Sequence, residues 1–268
     1  MIFRSLFFIL LLAAAFGLLA QRSPYAVTPL EIEEFLLKAG ITSERELSGG
    51  ALRLGLDDGK RKHDGQAQII GTEKPGEDVR LNVAAYELDK VLQLYLVPPA
   101  VERSLNGMAA IVVWRVDDVV MAELDRRKKK IDPPDPDRWN KQMQAVRVFD
   151  ELISNAYRNI DPDFYLSTLW DNLLITRDWR IWIIDYKQAF RSNKHLEHPE
   201  TLMRCDRAML ASLRMLNNDA LRLKLGKYLS TEQIEALEVR RELIVKHFAE
   251  QIANKGESAV LYDLPPGR

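Results

Sequence analysis

The sequence is poor in the residues that build disulfide frameworks, metal centres and nucleophilic sites. Its 268 residues include a single cysteine, Cys205, and only four histidines. One cysteine excludes an internal disulfide, and we expect Cys205 to be a buried filler within a helix. The histidines form no metal-ligand cluster, and we expect the closest pair, His195 and His198, to lie at the surface rather than on zinc. No serine stands in a nucleophile-elbow pattern, so the sequence gives a hydrolase little support.

The chain also lacks an excess of charge of either sign. Its formal net charge is −1, so no global field draws it to nucleic acid. The basic run at residues 126–130 has acidic residues on both sides, which favours a solvated helix end over a polyanion-binding patch. What is present is globular in character, because 47% apolar residues suffice for a core and 29% charged residues are ordinary for a soluble protein.

The first 22 residues read as a targeting segment. Arg4 precedes an apolar run over residues 6–20, which is typical of a secretory signal peptide. The run is shorter than the roughly 20 residues that span a bilayer. No clear cleavage motif precedes Gln21, so an uncleaved membrane anchor remains the alternative. Either way we expect an extracytoplasmic protein (periplasmic, secreted or anchored at its N-terminus) that meets the membrane only through such an anchor.

The most informative stretch covers residues 172–185. Two β-favouring runs flank a polar turn at Thr176, Arg177 and Asp178, which predicts an antiparallel hairpin. Asn172 and Asp185 would then project from the same end of the hairpin. Amide and carboxylate oxygens are ligands that Mg²⁺ accepts, usually together with phosphates. The hairpin is therefore a candidate metal site, the alternative being a surface hairpin whose polar residues only end the strands.

A helix predicted over residues 79–94 carries a carboxylate on its apolar face. Glu87 is four residues from Val83 and four from Val91, which share that face. A buried carboxylate is costly unless it meets a cation or hydrogen-bond donors. Two interpretations stay open: Glu87 pairs with a functional lysine, or it lies at the edge of the stripe with its head group in solvent.

The remaining pattern predicts an α+β fold with two lobes. Capping boxes at Thr28 and Ser230 start helices in each half. Residues 23–118, with short strands and the Glu87 helix, form a small sheet-containing N-lobe. Residues 119–137, which end in a proline-rich stretch, form a linker. Residues 138–268 form a mostly helical C-lobe that includes the hairpin, with helices expected at 138–155, 200–216 and 230–253.

In this order the motifs resemble a group of atypical kinases. The carrying residues are the helix around Glu87, then Val97-Pro98-Pro99-Ala100-Val101-Glu102-Arg103, Val148-Phe149-Asp150-Glu151-Leu152-Ile153-Ser154-Asn155, Arg158-Asn159, Asn172-Leu173-Leu174-Ile175 and Ile184-Asp185. The group includes the secretory-pathway casein kinases, HipA-like bacterial kinases and, more distantly, phosphoinositide kinases, and exported bacterial members are the most similar. The resemblance spans roughly residues 31–263.

The resemblance implies a two-lobed kinase-like fold that binds ATP and Mg²⁺. It implies that Asp185 and Asn172 hold the metal, and that Glu87 orients a phosphate-binding lysine. A hinge running from Trp114 to Val116 would hold the adenine ring.

The same resemblance exposes departures from the family pattern. Tyr157 stands at the position of the catalytic aspartate, and a phenol with a pKa near 10 is a poor base at neutral pH. Residues 160–170 form an insert, in which Asp161 or Asp163 could supply a replacement carboxylate while Arg158 braces the loop. No lysine stands on the expected strand, so the candidate cofactor-binding lysine is Lys74, the nearest one before the Glu87 helix, although it lies in a predicted turn.

These observations lead to three functional hypotheses. The first is a degenerate, exported kinase-like protein that binds nucleotide and Mg²⁺ and acts through a protein partner, as a pseudokinase does. The second is an active ATP-dependent phosphotransferase, acting on a protein or a small molecule, that uses a carboxylate from the insert. The third is an extracytoplasmic scaffold that binds no nucleotide.

Overall fold

The computed structural model describes residues 28–155 and 171–264, so the predicted targeting segment lies outside it. The helices are α1 Pro29–Lys38, α2 Leu81–Leu92, α3 Glu123–Lys128, α4 Pro136–Leu152, α5 Arg207–Met215, α6 Asn218–Leu225, α7 Thr231–Lys255 and α8 Glu257–Val260. The strands are β1 Gly40–Glu46, β2 Ala51–Asp57, β3 Lys62–Ile69, β4 Ala100–Leu105, β5 Met108–Trp114, β6 Val119–Ala122, β7 Leu173–Thr176, β8 Ile181–Ile183, β9 Cys205–Asp206 and β10 Leu261–Tyr262. Among the residues described, none of the helices combines the length and the apolar character needed to cross a bilayer. The predicted α+β architecture, with a sheet in the N-terminal part and helices in the C-terminal part, is confirmed.

A five-stranded antiparallel sheet forms the N-terminal lobe, in the order β1-β2-β3-β5-β4. Helix α1 covers one face of this sheet, and its Ile32 and Leu36 pack with Leu54 and Val112 in a separate apolar cluster. The predicted capping box starts α1, because the backbone N–H of Thr28 donates to a Glu31 carboxylate oxygen at 2.7 Å. Because α1 packs on one face of the sheet, the opposite face is left to line a cavity.

The segment predicted as a linker contains regular structure. Strand β6 and helix α3 lie within residues 119–137, and β6 pairs with β7 in a three-stranded sheet, β6-β7-β8. The prediction was incomplete because β6 is ordered by long-range pairing, with Val119 opposite Thr176, and not by a strong local pattern. The basic run that follows is solvated only at its three lysines, residues 128–130, whereas Arg126 and Arg127 are half-buried and pair with the buried Glu123 at 2.6 and 2.9 Å.

Helix α4 is hydrogen-bonded to the hairpin formed by β7 and β8. Met143, Val146 and Phe149 on one side of this helix are buried. Gln142, which is also buried, accepts a hydrogen bond from the Ile181 N–H at 3.0 Å and donates one to the Trp179 carbonyl at 3.0 Å. One side chain therefore satisfies two backbone groups at the turn end of the hairpin.

The helix predicted at 200–216 begins later, and Cys205 is not helical. Cys205 is fully buried in β9, which pairs in parallel with β10, and α5 starts only at Arg207 with Asp206 as its N-cap. The sequence missed this strand because its partner Leu261 lies more than fifty positions further along the chain. The predicted burial of Cys205 is confirmed, whereas its assignment to a helix was wrong.

Helix α2 connects the two lobes through a shared core. Its buried residues, among them Val83 and Leu88, belong to the same apolar cluster as Leu210 and Leu221 of α5 and α6. Two polar contacts add to this attachment. The Asn82 side chain accepts from the Tyr186 N–H at 3.2 Å, and the Leu96 carbonyl accepts from the Ile183 N–H at 2.8 Å. The N-terminal sheet and the hairpin are therefore held on opposite sides of a fixed cleft.

Candidate functional site

The hairpin has the register that the sequence predicted. Leu173 lies opposite Ile183, and the Ile184 N–H donates to the Asn172 carbonyl at 2.9 Å. Asn172, just before β7, and Asp185, just after β8, therefore lie at the same open end of the hairpin. Asp185 takes a left-handed backbone conformation with φ of 61°, and its side chain is 42% exposed.

A cavity of about 600 Å³ lies between the N-terminal sheet and this end of the hairpin. That volume is within the range of small-molecule and cofactor pockets. Its sheet side is lined by residues of β3 and β5, and its hairpin side by residues 183–187 together with Asn172 and Leu174. Within residues 28–155 and 171–264 the charged lining consists of Lys74, Arg115 and Lys187 against Asp185, so basic side chains outnumber acidic ones among the residues described. Such a cleft favours an anionic ligand.

Five of the predicted site residues line this one cavity: Lys74, Trp114, Val116, Asn172 and Asp185. Trp114 ends β5, and the chain then runs through Val116 to β6, so the predicted hinge joins the two lobes at the edge of the cleft. The Trp114 ring is buried between neighbours. It stacks on His63 with ring centroids 3.3 Å apart and meets Phe35 edge-on at 5.8 Å. Its position is thus fixed before any ligand arrives.

Glu87 is placed differently from the expectation that it orients a phosphate-binding lysine. Its side chain is 21% exposed and pairs with Lys90 of its own helix at 2.8 Å. Lys90 also meets Glu33 of α1 at 2.8 Å. Although burial works against the charge, the hydrogen bonds to Glu33 and Glu87 raise the pKa of Lys90 above its usual value.

Glu87 is not among the residues that line the cavity described above, so we correct its assignment to the nucleotide site. The reason lies in the geometry of α2. Most of its circumference is buried, and Glu87 lies at the half-buried edge of the helix, where its head group pairs with Lys90 and does not extend into solvent as the second interpretation had it. The α2 residue that lines the cavity is Asn82, one turn and a half earlier.

Most of the predicted catalytic loop lies outside the residues that the structure describes. Tyr157, Arg158, Asp161 and Asp163 all lie in residues 156–170, which the structure does not describe. Just before that gap, the Asn155 side chain is buried and donates to Asp150 at 2.9 Å. The roles assigned to these four residues therefore stay predictions.

Three cleft residues were missed by sequence reasoning: Gln68, Asn82 and Lys187. Lys187 Nζ lies 3.3 Å from Glu77 Oε2 and 3.6 Å from Asp185 Oδ1. The signal for Lys187 was its position two residues after Asp185, where a side chain points back to the same end of the hairpin. Gln68 is 6% exposed, and its Nε2 has no hydrogen-bond partner within residues 28–155 and 171–264.

The donor set suits a magnesium ion only in the presence of further oxygens. Asn172 and Asp185 supply an amide and a carboxylate oxygen at the cavity wall. In the described part of the chain there is no cluster of three or more histidine, cysteine or acidic side chains that could hold a metal. Mg²⁺ is commonly held by one or two protein oxygens plus phosphates and water. The residues therefore fit a metal that enters together with a phosphate ligand.

Comparison with known proteins gives a likeness of fold alone. No family model matches the chain, and no curated protein matches it. Among solved structures, the crystal structure of a Helicobacter pylori proinflammatory kinase, CtkA, matches 82% of this chain and 96% of that chain, with a TM-score of 0.48 and 9% sequence identity. At this identity the likeness says nothing about ligands or activity. The architecture itself, a small antiparallel sheet with one helix, a connector and a helical lobe carrying a hairpin, is kinase-like.

Proposed function

We propose that this protein is a kinase-like protein that binds a nucleotide together with Mg²⁺ in the cleft between its lobes. One observation carries the proposal: Asn172 and Asp185 line the same cavity as the connector at Trp114 and three basic side chains. The connector offers a place for a flat base, the basic side chains suit phosphates, and the two oxygen ligands suit the metal between them. When bound, Mg²⁺ would neutralise part of the phosphate charge.

We further propose that the protein is a pseudokinase that acts through a protein partner. The support comes from the sequence, since Tyr157 replaces the aspartate that would receive or orient the proton of an attacking hydroxyl. A tyrosine hydroxyl remains protonated at neutral pH and does not accept that proton. The extracytoplasmic location stays a prediction from the first 22 residues.

Thermal unfolding of the full chain with ATP and Mg²⁺ tests nucleotide binding. A ligand that binds only the native state stabilises it by about 2.7 kcal/mol at a hundred times its dissociation constant, which is a rise of several degrees in Tm. We expect this rise with ATP and Mg²⁺ together, and its loss when Mg²⁺ is chelated.

Two variants of the same hairpin sharpen the test. Asp185→Ala should abolish the metal-dependent rise. Asp178→Ala changes a carboxylate at the other end of the hairpin, where it accepts from the Thr176 hydroxyl, and should keep the rise. Absence of any rise in the wild type at millimolar nucleotide would contradict the proposal and favour the scaffold.

A further inference from the structure

A phosphate ligand in this cleft needs a cation that the sheet does not supply. In kinases a strand lysine contacts the phosphates. Here the cavity-lining positions of β3 are Gln66, Ala67 and Gln68, none of them charged. The buried Gln68 Nε2, which has no hydrogen-bond partner in the described part of the chain, can donate a hydrogen bond into the cleft. It cannot neutralise charge, so the positive charge must come from another element.

Lys187 is the basic side chain best placed to supply that charge. Lys74 and Arg115 also line the cavity, but both are exposed residues at its margin, whereas the Lys187 side chain is only 20% exposed. Its backbone is anchored as well, because the Lys187 carbonyl accepts from the Asp78 N–H at 2.9 Å. The ammonium is therefore held beside Asp185, where a metal-bound phosphate would lie.

The contacts of Lys187 leave it able to bind a further anion. Its Nζ lies 3.3 Å from a Glu77 oxygen and 3.6 Å from an Asp185 oxygen. Both distances exceed the roughly 2.7–2.9 Å of a charge-assisted hydrogen bond. An ammonium group has three donors, so these two long ion pairs orient it without exhausting it. The Glu77 side chain is 14% exposed, which makes it a positioning carboxylate rather than a solvated one.

We propose that Lys187, positioned by Glu77, is the residue that contacts the phosphates of the nucleotide, and that Gln68 adds a neutral hydrogen bond from the sheet. This inference rests on the proposed nucleotide binding and deepens it. In this proposal the ion pair of Lys187 with Glu77, which joins the segment after Asp185 to the turn before α2, takes the place of the kinase ion pair between a strand lysine and a helix glutamate. Glu87, which pairs with Lys90, is free of any role in it.

Titration calorimetry of the full chain with ATP plus Mg²⁺ and, separately, with adenosine tests the inference. Lys187→Met keeps the aliphatic stem and removes the charge. We expect it to weaken ATP binding about tenfold to hundredfold, since hydrogen bonds to charged groups are strong. Adenosine binding should change less than twofold, which also shows that the cleft is still folded. Lys187→Arg should restore part of the ATP affinity.

Two further variants separate a positioning role from a general loss of charge. Glu77→Gln should weaken ATP binding several-fold in the wild type and have no further effect in the Lys187→Met background, as expected for coupled residues. Lys74→Met removes the exposed cleft lysine and should have the smaller effect.

The outcomes distinguish this inference from the function on which it rests. If the wild type binds neither ATP nor adenosine, the proposed nucleotide binding and the assignment of Lys187 are both contradicted. If the wild type binds ATP and Lys187→Met binds it equally well, or if Lys74→Met has the larger effect, the assignment of Lys187 is overturned and nucleotide binding stands.

Discussion

Two neutral side chains stand where the resemblance to kinases leads us to expect charged ones. By that resemblance, Gln68 stands on the strand expected to carry a lysine, on the sheet side of the cleft, and Tyr157, which lies outside the described residues, stands at the position of an aspartate. In our proposal, Lys187 supplies the positive charge that the first position lacks, so phosphate binding is kept. The second removes a proton acceptor. The two losses therefore bear on different steps, one on binding and one on chemistry.

Restoring the carboxylate at position 157 tests whether the lost acceptor alone prevents phosphotransfer. We expect the wild type to transfer no phosphate from radiolabelled ATP to a general acceptor protein and Tyr157→Asp to gain a measurable rate, since a positioned base contributes about 10²–10⁴-fold. Tyr157→Phe is the matched control and should stay inactive.

Labelling by the wild type itself would contradict the pseudokinase proposal. Asp161→Asn and Asp163→Asn would then identify which carboxylate of the insert acts as the base, and loss of labelling in one of them would support the active phosphotransferase.

At the residue scale, the sequence predicted the cleft better than it predicted the charge pairs within it. Asn172 and Asp185 could be located because a hairpin with a polar turn fixes which residues end its strands. The ion pair of Lys187 with Glu77 could not, because Glu77 comes from a turn more than a hundred positions earlier. The pairing of Glu87 with Lys90 is local, but an (i, i+3) pair on a helix is too common to indicate a role.

At the scale of elements, the position of the candidate metal ligands depends on how the hairpin is attached to α4. Gln142 of that helix bonds to the Ile181 N–H and to the Trp179 carbonyl, both near the turn. Arg180 adds a bond from its guanidinium to the Tyr95 carbonyl at 2.7 Å. The hairpin is thus fixed at its turn end, and its open end carries Asn172 and Asp185 into the cleft.

Removing the Gln142 amide should destabilise the protein and disturb the site at a distance. Gln142→Leu keeps a similar volume but leaves two backbone groups without partners, which should lower the free energy of unfolding by about 2–4 kcal/mol. Urea denaturation measures this loss. Asn140→Leu, an exposed position on the same helix, should change stability by about 0.5 kcal/mol or less.

The consequence for the site is a weaker metal-dependent rise in Tm in Gln142→Leu than in Asn140→Leu. An undiminished rise together with the loss of stability would show that the ligand end of the hairpin does not depend on this attachment.

Elements with a strong local pattern were predicted well, and those ordered by distant partners were not. The capping boxes at Thr28 and Ser230 each start a helix where expected. Strands β6 and β9 were missed, because each is short and gains its order from hydrogen bonds to β7 and β10. Local propensity carries little information about such strands.

At the scale of the whole molecule, the two lobes are joined by more than the connector. Helix α2 belongs to the N-terminal lobe by sequence, yet its buried side chains share one apolar cluster with α5, α6 and the hairpin. Lys227, between α6 and α7, pairs with Glu102 of β4 at 2.9 Å and bridges the lobes at the surface. The separate cluster under α1 is confined to the outer face of the sheet. A cleft built in this way is largely preformed, so ligand binding should need little closure.

This shared core predicts that both lobes unfold in one transition. Trp114 reports on the N-terminal sheet, whereas Trp139 and Trp179 report on the helical lobe. In the wild type, urea denaturation followed by fluorescence should give the same midpoint as denaturation followed by far-UV circular dichroism. In Trp114→Phe the two midpoints should again agree with each other and, after allowance for any change in stability, with those of the wild type, because coincident probes indicate a two-state transition. Val83→Ala in α2 should lower the free energy of unfolding by the roughly 1–3 kcal/mol expected for a small cavity in a core, and should therefore lower both midpoints together. A fluorescence change from Trp114 that precedes the loss of helix would show instead that the sheet and α1 unfold on their own. The cleft would then be assembled from two independent bodies, and nucleotide binding would have to provide the closure that we attribute to the core.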